Sequence, residues 1–199
     1  MKLRDIENYT EITRKSIESV KCTRIITGKG SEKYNKYIQN LARRVLKESV
    51  TRTDGYKHDE VGILARLDGT FVSEPIYGYW DEELLTSVID VSHNIEYNYI
   101  LDESMNTQSC IFMHNHPNNS MPSINDIRTF ISTSEMLIMA AVGNDGKVRY
   151  VLKTEDDLYY YIKLSRVIET KLSINRANID SVYKKLMNNP DKYHLKIGG

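Results

Sequence analysis

The chain has 199 residues, and its 27 Lys and Arg balance its 27 Asp and Glu, so the formal net charge is zero with histidine neutral. That balance removes the positive surplus on which dedicated nucleic-acid binders rely, while 40% hydrophobic and 27% charged residues is the mix of a chain that folds. No apolar run approaches the ~20 residues of a membrane-spanning helix, and the N-terminus alternates acidic and basic residues with no apolar h-region. The expectation is a soluble, cytoplasmic protein with one core-forming domain and appended elements. Cys22 and Cys110 lack C-x-x-C spacing, which points to two free thiols rather than a disulfide framework or a thiolate zinc site.

In chain order, Leu3, Ile6, Ile12 and Ile17 space a helix, and the β-branched run from Val20 to Thr27 predicts a strand. Gly28 to Gly30 breaks the pattern, Ser31 suits a cap, and Tyr34, Ile38, Leu41 and Val45 predict a helix over 32–49. Val61 to Leu67 reads as a mostly buried strand, and Asp68-Gly69 as a hairpin turn before Thr70-Phe71-Val72. Between 80 and 106 the pattern is mixed, and we read a strand over Ser87 to Val91, then a short helix over 94–105. Ser109 to Met113 is a buried strand that runs directly into His114-Asn115-His116-Pro117. A helix starts at Ser123, and Met136 to Val142 with Lys147 to Lys153 form a hairpin across Asn144-Asp145-Gly146. Thr154 with Asp157 resembles a capping box ahead of a helix through Leu172, and a second helical piece follows over 177–187.

The chemistry concentrates in residues 114–126. In an extended chain residues i and i+2 share a face, so His114 and His116 present two imidazoles to one point. A helix starting near Ser123 brings Asp126, one turn in, toward the same point as a third ligand. Two imidazoles and one carboxylate leave a fourth tetrahedral position open, the arrangement of a catalytic rather than a structural zinc. Cys110 shares the strand face but lies about 13 Å along it, too far to join the ion. Tyr159-Tyr160-Tyr161 offers no flat stacking platform, because consecutive helical positions point in different directions. His93 and His194 read as ordinary surface or partly buried histidines.

The string HNHPNNSMPSIND resembles the signature of JAMM (MPN-plus) metalloproteases: an upstream Glu, His-x-His-Pro, a spacer, then Ser-x-x-Asp. Its wording is closer to the bacterial RadC-like and phage-associated branch than to eukaryotic deubiquitinases. A helix followed by Glu60-Val61-Gly62-Ile63-Leu64 is similar to the family's helix and Glu-bearing strand. The resemblance implies an α/β (α+β) fold of JAMM type, cytidine-deaminase-like, with a mixed curved sheet flanked by helices. It covers residues 30–153, leaving 1–29 as an N-terminal extension and 154–199 as a C-terminal helical extension.

It further implies that His114, His116 and Asp126 hold Zn²⁺, that Glu60 is the general base acting on zinc-bound water, and that Ser123 donates to the oxyanion. Glu74, His58 and Asp59 stand as alternative bases, and Ser120 as a weaker substitute for Ser123, which also fits a plain helix cap. Six residues separate His116 from Ser123 where the family has seven, so the loop is shortened while the Ser-x-x-Asp register is kept. The implied activity is hydrolysis of an amide in a protein substrate, an isopeptide bond or C-terminal extension on a ubiquitin-like modifier. Competing expectations are a nucleic-acid-associated factor of mobile elements, which zero net charge disfavours, and a non-catalytic interaction module. The oligomeric state is not legible.

Overall fold

A computed structural model of the chain describes residues 11–21, 24–51, 60–81, 86–174 and 179–199. The apolar runs form strands β1 (Val61–Arg66), β2 (Ile76–Tyr77), β3 (Tyr79–Asp81), β4 (Thr86–Val88), β5 (Cys110–His116), β6 (Met136–Gly143), β7 (Val148–Lys153) and β8 (Leu195–Gly198). Six of them make one mixed sheet in the order β2-β1-β5-β6-β7-β8, while β3 and β4 pair separately. The helices are α1 (Arg14–Ser19), α2 (Ser31–Thr51), α3 (Ile95–Asp102), α4 (Ile124–Ser132), α5 (Leu158–Ile174) and α6 (Ile179–Asn188). None of the described helices is long and apolar enough to cross a membrane.

Alternation along β5 decides the layering. Ile111 and Met113 join Ile63, Ile138, Ala140 and Val142 beneath α2, whose Ile38, Leu41, Val45 and Leu46 are all buried. Each of those four aliphatic side chains contributes about 1.5–3 kcal/mol by leaving water. Cys110 and Phe112 point the other way, into a second core roofed by Tyr97 of α3, Ile127 and Phe130 of α4, and Tyr161 and Ile168 of α5. The sheet is therefore sandwiched between helices, as expected.

The β5–β6 pair is parallel, so a crossover must return the chain to the same end of the sheet, and α4 is that crossover. Its first turn consequently stands at the carboxyl end of β5, beside the histidines. The other pairings are antiparallel, with Gly62 opposite His114 in the β1–β5 register. Both expected hairpin turns form, with Gly69 and Gly146 at φ 80° and 82°.

Four local expectations need correction. Residues 24–27 form no strand, although Ile25 is fully buried: the Asn35 carboxamide accepts from Ile26 N at 3.1 Å and donates to Ile26 O at 2.8 Å, replacing a ladder partner. The strand expected over 87–91 is Thr86–Val88, because Asp90 Oδ1 accepts from both the N–H and the hydroxyl of Ser92 and turns the chain. Thr154 does not cap α5: Asp157 Oδ1 accepts from Tyr159 N, and the Thr154 N–H is taken by the Tyr161 hydroxyl. The tail is not wholly helical, since β8 adds to β7 as the edge strand. Cys110 is a buried free thiol, whereas Cys22 lies outside the described residues.

Candidate metal centre

His114 and His116 sit at the end of β5 on the α4 face, fully buried and 3% exposed respectively. Their Nε2 atoms approach to 2.8 Å. Asp126 arrives from the first turn of α4, with Oδ2 at 3.5 Å from His114 Nε2 and 3.4 Å from His116 Nε2. Continuing the β1–β5 register two residues beyond the Gly62–His114 pair sets Glu60 opposite His116, and Glu60 Oε1 lies 3.8 Å from His116 Nε2. Glu60, His114 and His116 each offer one ligand atom, all within 4.8 Å of one another.

These donors fit a divalent cation. Tetrahedral zinc with bonds of about 2.0–2.1 Å has ligand–ligand edges of about 3.3 Å. The two imidazole–carboxylate distances match that edge, and the His–His distance is shorter. Two imidazoles with carboxylates suit a borderline-soft metal better than Mg²⁺ or Ca²⁺, which prefer all-oxygen shells.

Each donor is oriented by a different device. The His116 Nδ1 bonds the Ser120 hydroxyl at 2.9 Å, which turns Nε2 toward the cluster. The His114 Nδ1 is buried with no hydrogen-bond partner among the described residues, and this ring is oriented by stacking on Phe112 (centroids 5.6 Å, 29°). Asp126 is locked by a reciprocal capping box: Ser123 Oγ accepts from Asp126 N, and Asp126 Oδ2 accepts from Ser123 N. Glu60 is fixed through its backbone neighbours, with Glu60 O accepting from Gly78 N at 2.7 Å and Val61 N donating to Asn115 Oδ1 at 2.7 Å.

Burial pushes the Glu60 carboxyl up to about 8; the positive character of His116 opposes this, and the Asp126 charge adds to it. Burial also works against the Asp126 carboxylate, but the two imidazoles outweigh it and hold its pKa well below the usual range. The two carboxyls are thus driven in opposite directions.

No family model, curated protein or solved structure matches the chain. The chemistry must therefore be argued from these residues.

All five residues read from the sequence meet here, with Glu60, His116, Ser123 and Asp126 lining one cleft of about 310 Å³. Ser123 is the N-cap of α4. Glu74 is no alternative base, since its side chain is exposed and pairs with Arg44 at 3.3 Å. His58 and Asp59 lie outside the described residues. Ser120 stands behind His116 rather than replacing Ser123. His93 and His194 are exposed or half-exposed.

Two contributors escaped the sequence reading. Asn115, the middle residue of His-x-His, is fully buried and points away from the metal donors, where it pins the strand that presents Glu60. Its alternation with the histidines was a usable signal, because a buried amide inside a strand needs a partner. Tyr183 of α6 donates to Pro122 O at 2.9 Å, just before the capping serine, and nothing local in the sequence marks it.

Proposed function

We propose that the chain is a zinc-dependent metallopeptidase of JAMM type that hydrolyses an amide in a protein substrate. The substrate class follows from the resemblance: an isopeptide bond, or a C-terminal extension, on a ubiquitin-like modifier. The observation that carries the reading is the convergence of His114 Nε2, His116 Nε2 and Asp126 Oδ2 with Glu60 beside them in an open cleft.

His114, His116 and Asp126 would hold the zinc. When bound, it supplies a Lewis acid and lowers the pKa of water from ~15.7 toward about 7. Glu60 takes a proton from the attacking water and delivers it to the leaving amine. Its burial in the cleft raises its affinity for the proton, which suits a proton carrier. Ser123 Oγ already accepts from Asp126 N, so its own proton is free to donate to the carbonyl oxygen as negative charge builds there. A donor of this kind is worth about 3–4 kcal/mol of barrier.

Two measurements on the same samples test this. The purified protein should contain about one zinc per chain by elemental analysis. Glu60→Gln should keep the zinc while hydrolysis of isopeptide-linked substrates drops by about 10²–10⁴-fold. Full hydrolysis by a zinc-stripped sample overturns the reading, and full activity in Glu60→Gln removes that residue's role alone.

A further inference from the structure

The cleft that holds Glu60 and Asp126 has a second, apolar half. Its walls are Val88, Ile89, Val91, Tyr97, Phe112 and Met139. Tyr97, Phe112 and Met139 form a floor no more than 6% exposed, and the three aliphatic residues are partly buried along the rim. The floor is built with care. The Phe112 ring lies directly over Gly62, where a Cβ would stand only 2.4 Å from Cζ and 3.2 Å from Ile89 Cδ1. Phe112 also meets Tyr97 edge-on at 5.9 Å and stacks on His114. Glycine at 62 thus allows one aromatic ring to floor the cleft and orient a metal donor at once.

Charge narrows the occupant. Among the described residues that line the cleft, Glu60 and Asp126 are the charged ones and none is a Lys or Arg. A divalent cation would balance the two carboxylates and leave the cleft without net charge. An acidic side chain meets no cation among the described lining residues, only the neutral Ser123, Asn125 and Thr129, and a lysine would give up hydration to an apolar floor.

We propose that this half of the cleft is a side-chain subsite selecting a large, uncharged, aliphatic or aromatic residue next to the scissile amide. The inference rests on the metallopeptidase reading and narrows its substrate to a peptide amide flanked by a large apolar residue, in preference to an isopeptide bond between a glycine and a lysine. A glycine at that position leaves the partly buried rim of Val88, Ile89 and Val91 in water. A leucine or phenylalanine packs against it.

The test uses zinc-loaded full-length protein and short peptide hydroxamates that differ only in the side chain beside the metal-binding group: Gly, Asp, Lys, Leu or Phe. Affinity is read by calorimetry. Leu and Phe probes should bind about 10- to 100-fold tighter than Gly, with Asp and Lys no better than Gly. Ile89→Lys, at the partly exposed rim, should invert the order toward Asp while zinc affinity stays at the wild-type value. Equal affinity for Gly and Leu, or an unchanged order in a zinc-loaded Ile89→Lys, overturns the subsite. If the protein holds zinc but no hydroxamate binds, the metallopeptidase reading itself fails and takes the subsite with it.

Discussion

The two faces of the sheet are built from the same strands and do different work. The α2 face is an apolar contact in which Ile63, Ile111, Met113, Ile138 and Val142 meet Ile38, Leu41, Val45 and Leu46, and the buried amides on this side, Asn35 and Asn115, hydrogen-bond backbone groups. On the opposite face the same β5 presents His114 and His116, β7 presents a buried Lys153, and an open cleft lies between α4, Tyr97 and Met139. One residue of offset along a strand separates stabilising positions from chemical ones. Each face carries its own apolar core, and the second adds titratable groups to it.

The sharpest way to break that division is to damage each face in turn. Leu46→Ala should cost about 2–5 kcal/mol of unfolding free energy in urea, while the folded fraction binds zinc with wild-type affinity. His114→Gln should do the reverse, losing measurable zinc binding while its side chain fills most of the space of the buried ring, so that the metal-free protein loses less stability than Leu46→Ala. A Leu46→Ala protein that fails to bind zinc while folded, or a His114→Gln protein that unfolds, would show that the faces are coupled.

Lys153 tests whether the second face carries an electrostatic cost. Its Nζ donates to Thr133 O at 2.7 Å and stands 4.8 Å from the ring centroids of both Phe130 and Tyr161, all of which favour the ammonium. Burial nonetheless pushes its pKa down to about 7, with Glu135 opposing. A lysine depressed from 10.5 to about 7 binds fewer protons folded than unfolded between those values, so it makes stability rise with pH across that window and lie flat below it. Lys153→Met should remove the rise and stabilise the protein at pH 6, by an amount on the order of a few kcal/mol. Urea titrations at pH 6 and pH 9 would read it, and an unchanged slope would mean that the ring faces and the carbonyl keep the charge at little cost.

What the sequence made legible follows the same division. Alternation and helical spacing are local, so α2, β5, the two Asp-Gly hairpins and the i, i+2 histidines could be read from short windows. Asp126 followed from its place one turn into a helix that starts at Ser123, which is a fixed local register. Glu60 required the resemblance, since its place beside His116 depends on an antiparallel register between segments far apart in the chain. β8 was missed because four residues carry too little pattern, and its edge position depends on β7. The strand expected at 24–27 failed because one distant amide, Asn35, satisfied the backbone in place of a ladder. Local pattern specifies elements, and partners at long range specify the site.

The smallest effect separates two serines that the sequence treated as rivals for one role. Ser120 bonds the outer nitrogen of His116, whereas Ser123 caps α4. Ser120→Ala leaves that imidazole only the longer contact to the Ser120 carbonyl at 3.3 Å, so zinc affinity should fall about 10- to 100-fold in a chelator competition, with stability nearly unchanged. Ser120→Thr keeps a hydroxyl and should restore the affinity. Ser123→Ala removes a helix cap and should lower stability by about 0.5–2 kcal/mol. The carboxylate of Asp126 is held by the Ser123 N–H and not by the hydroxyl, so metal affinity should stay near the wild-type value. That backbone donor survives the substitution, which is why the hydroxyl at 120, and not the one at 123, should dominate metal binding.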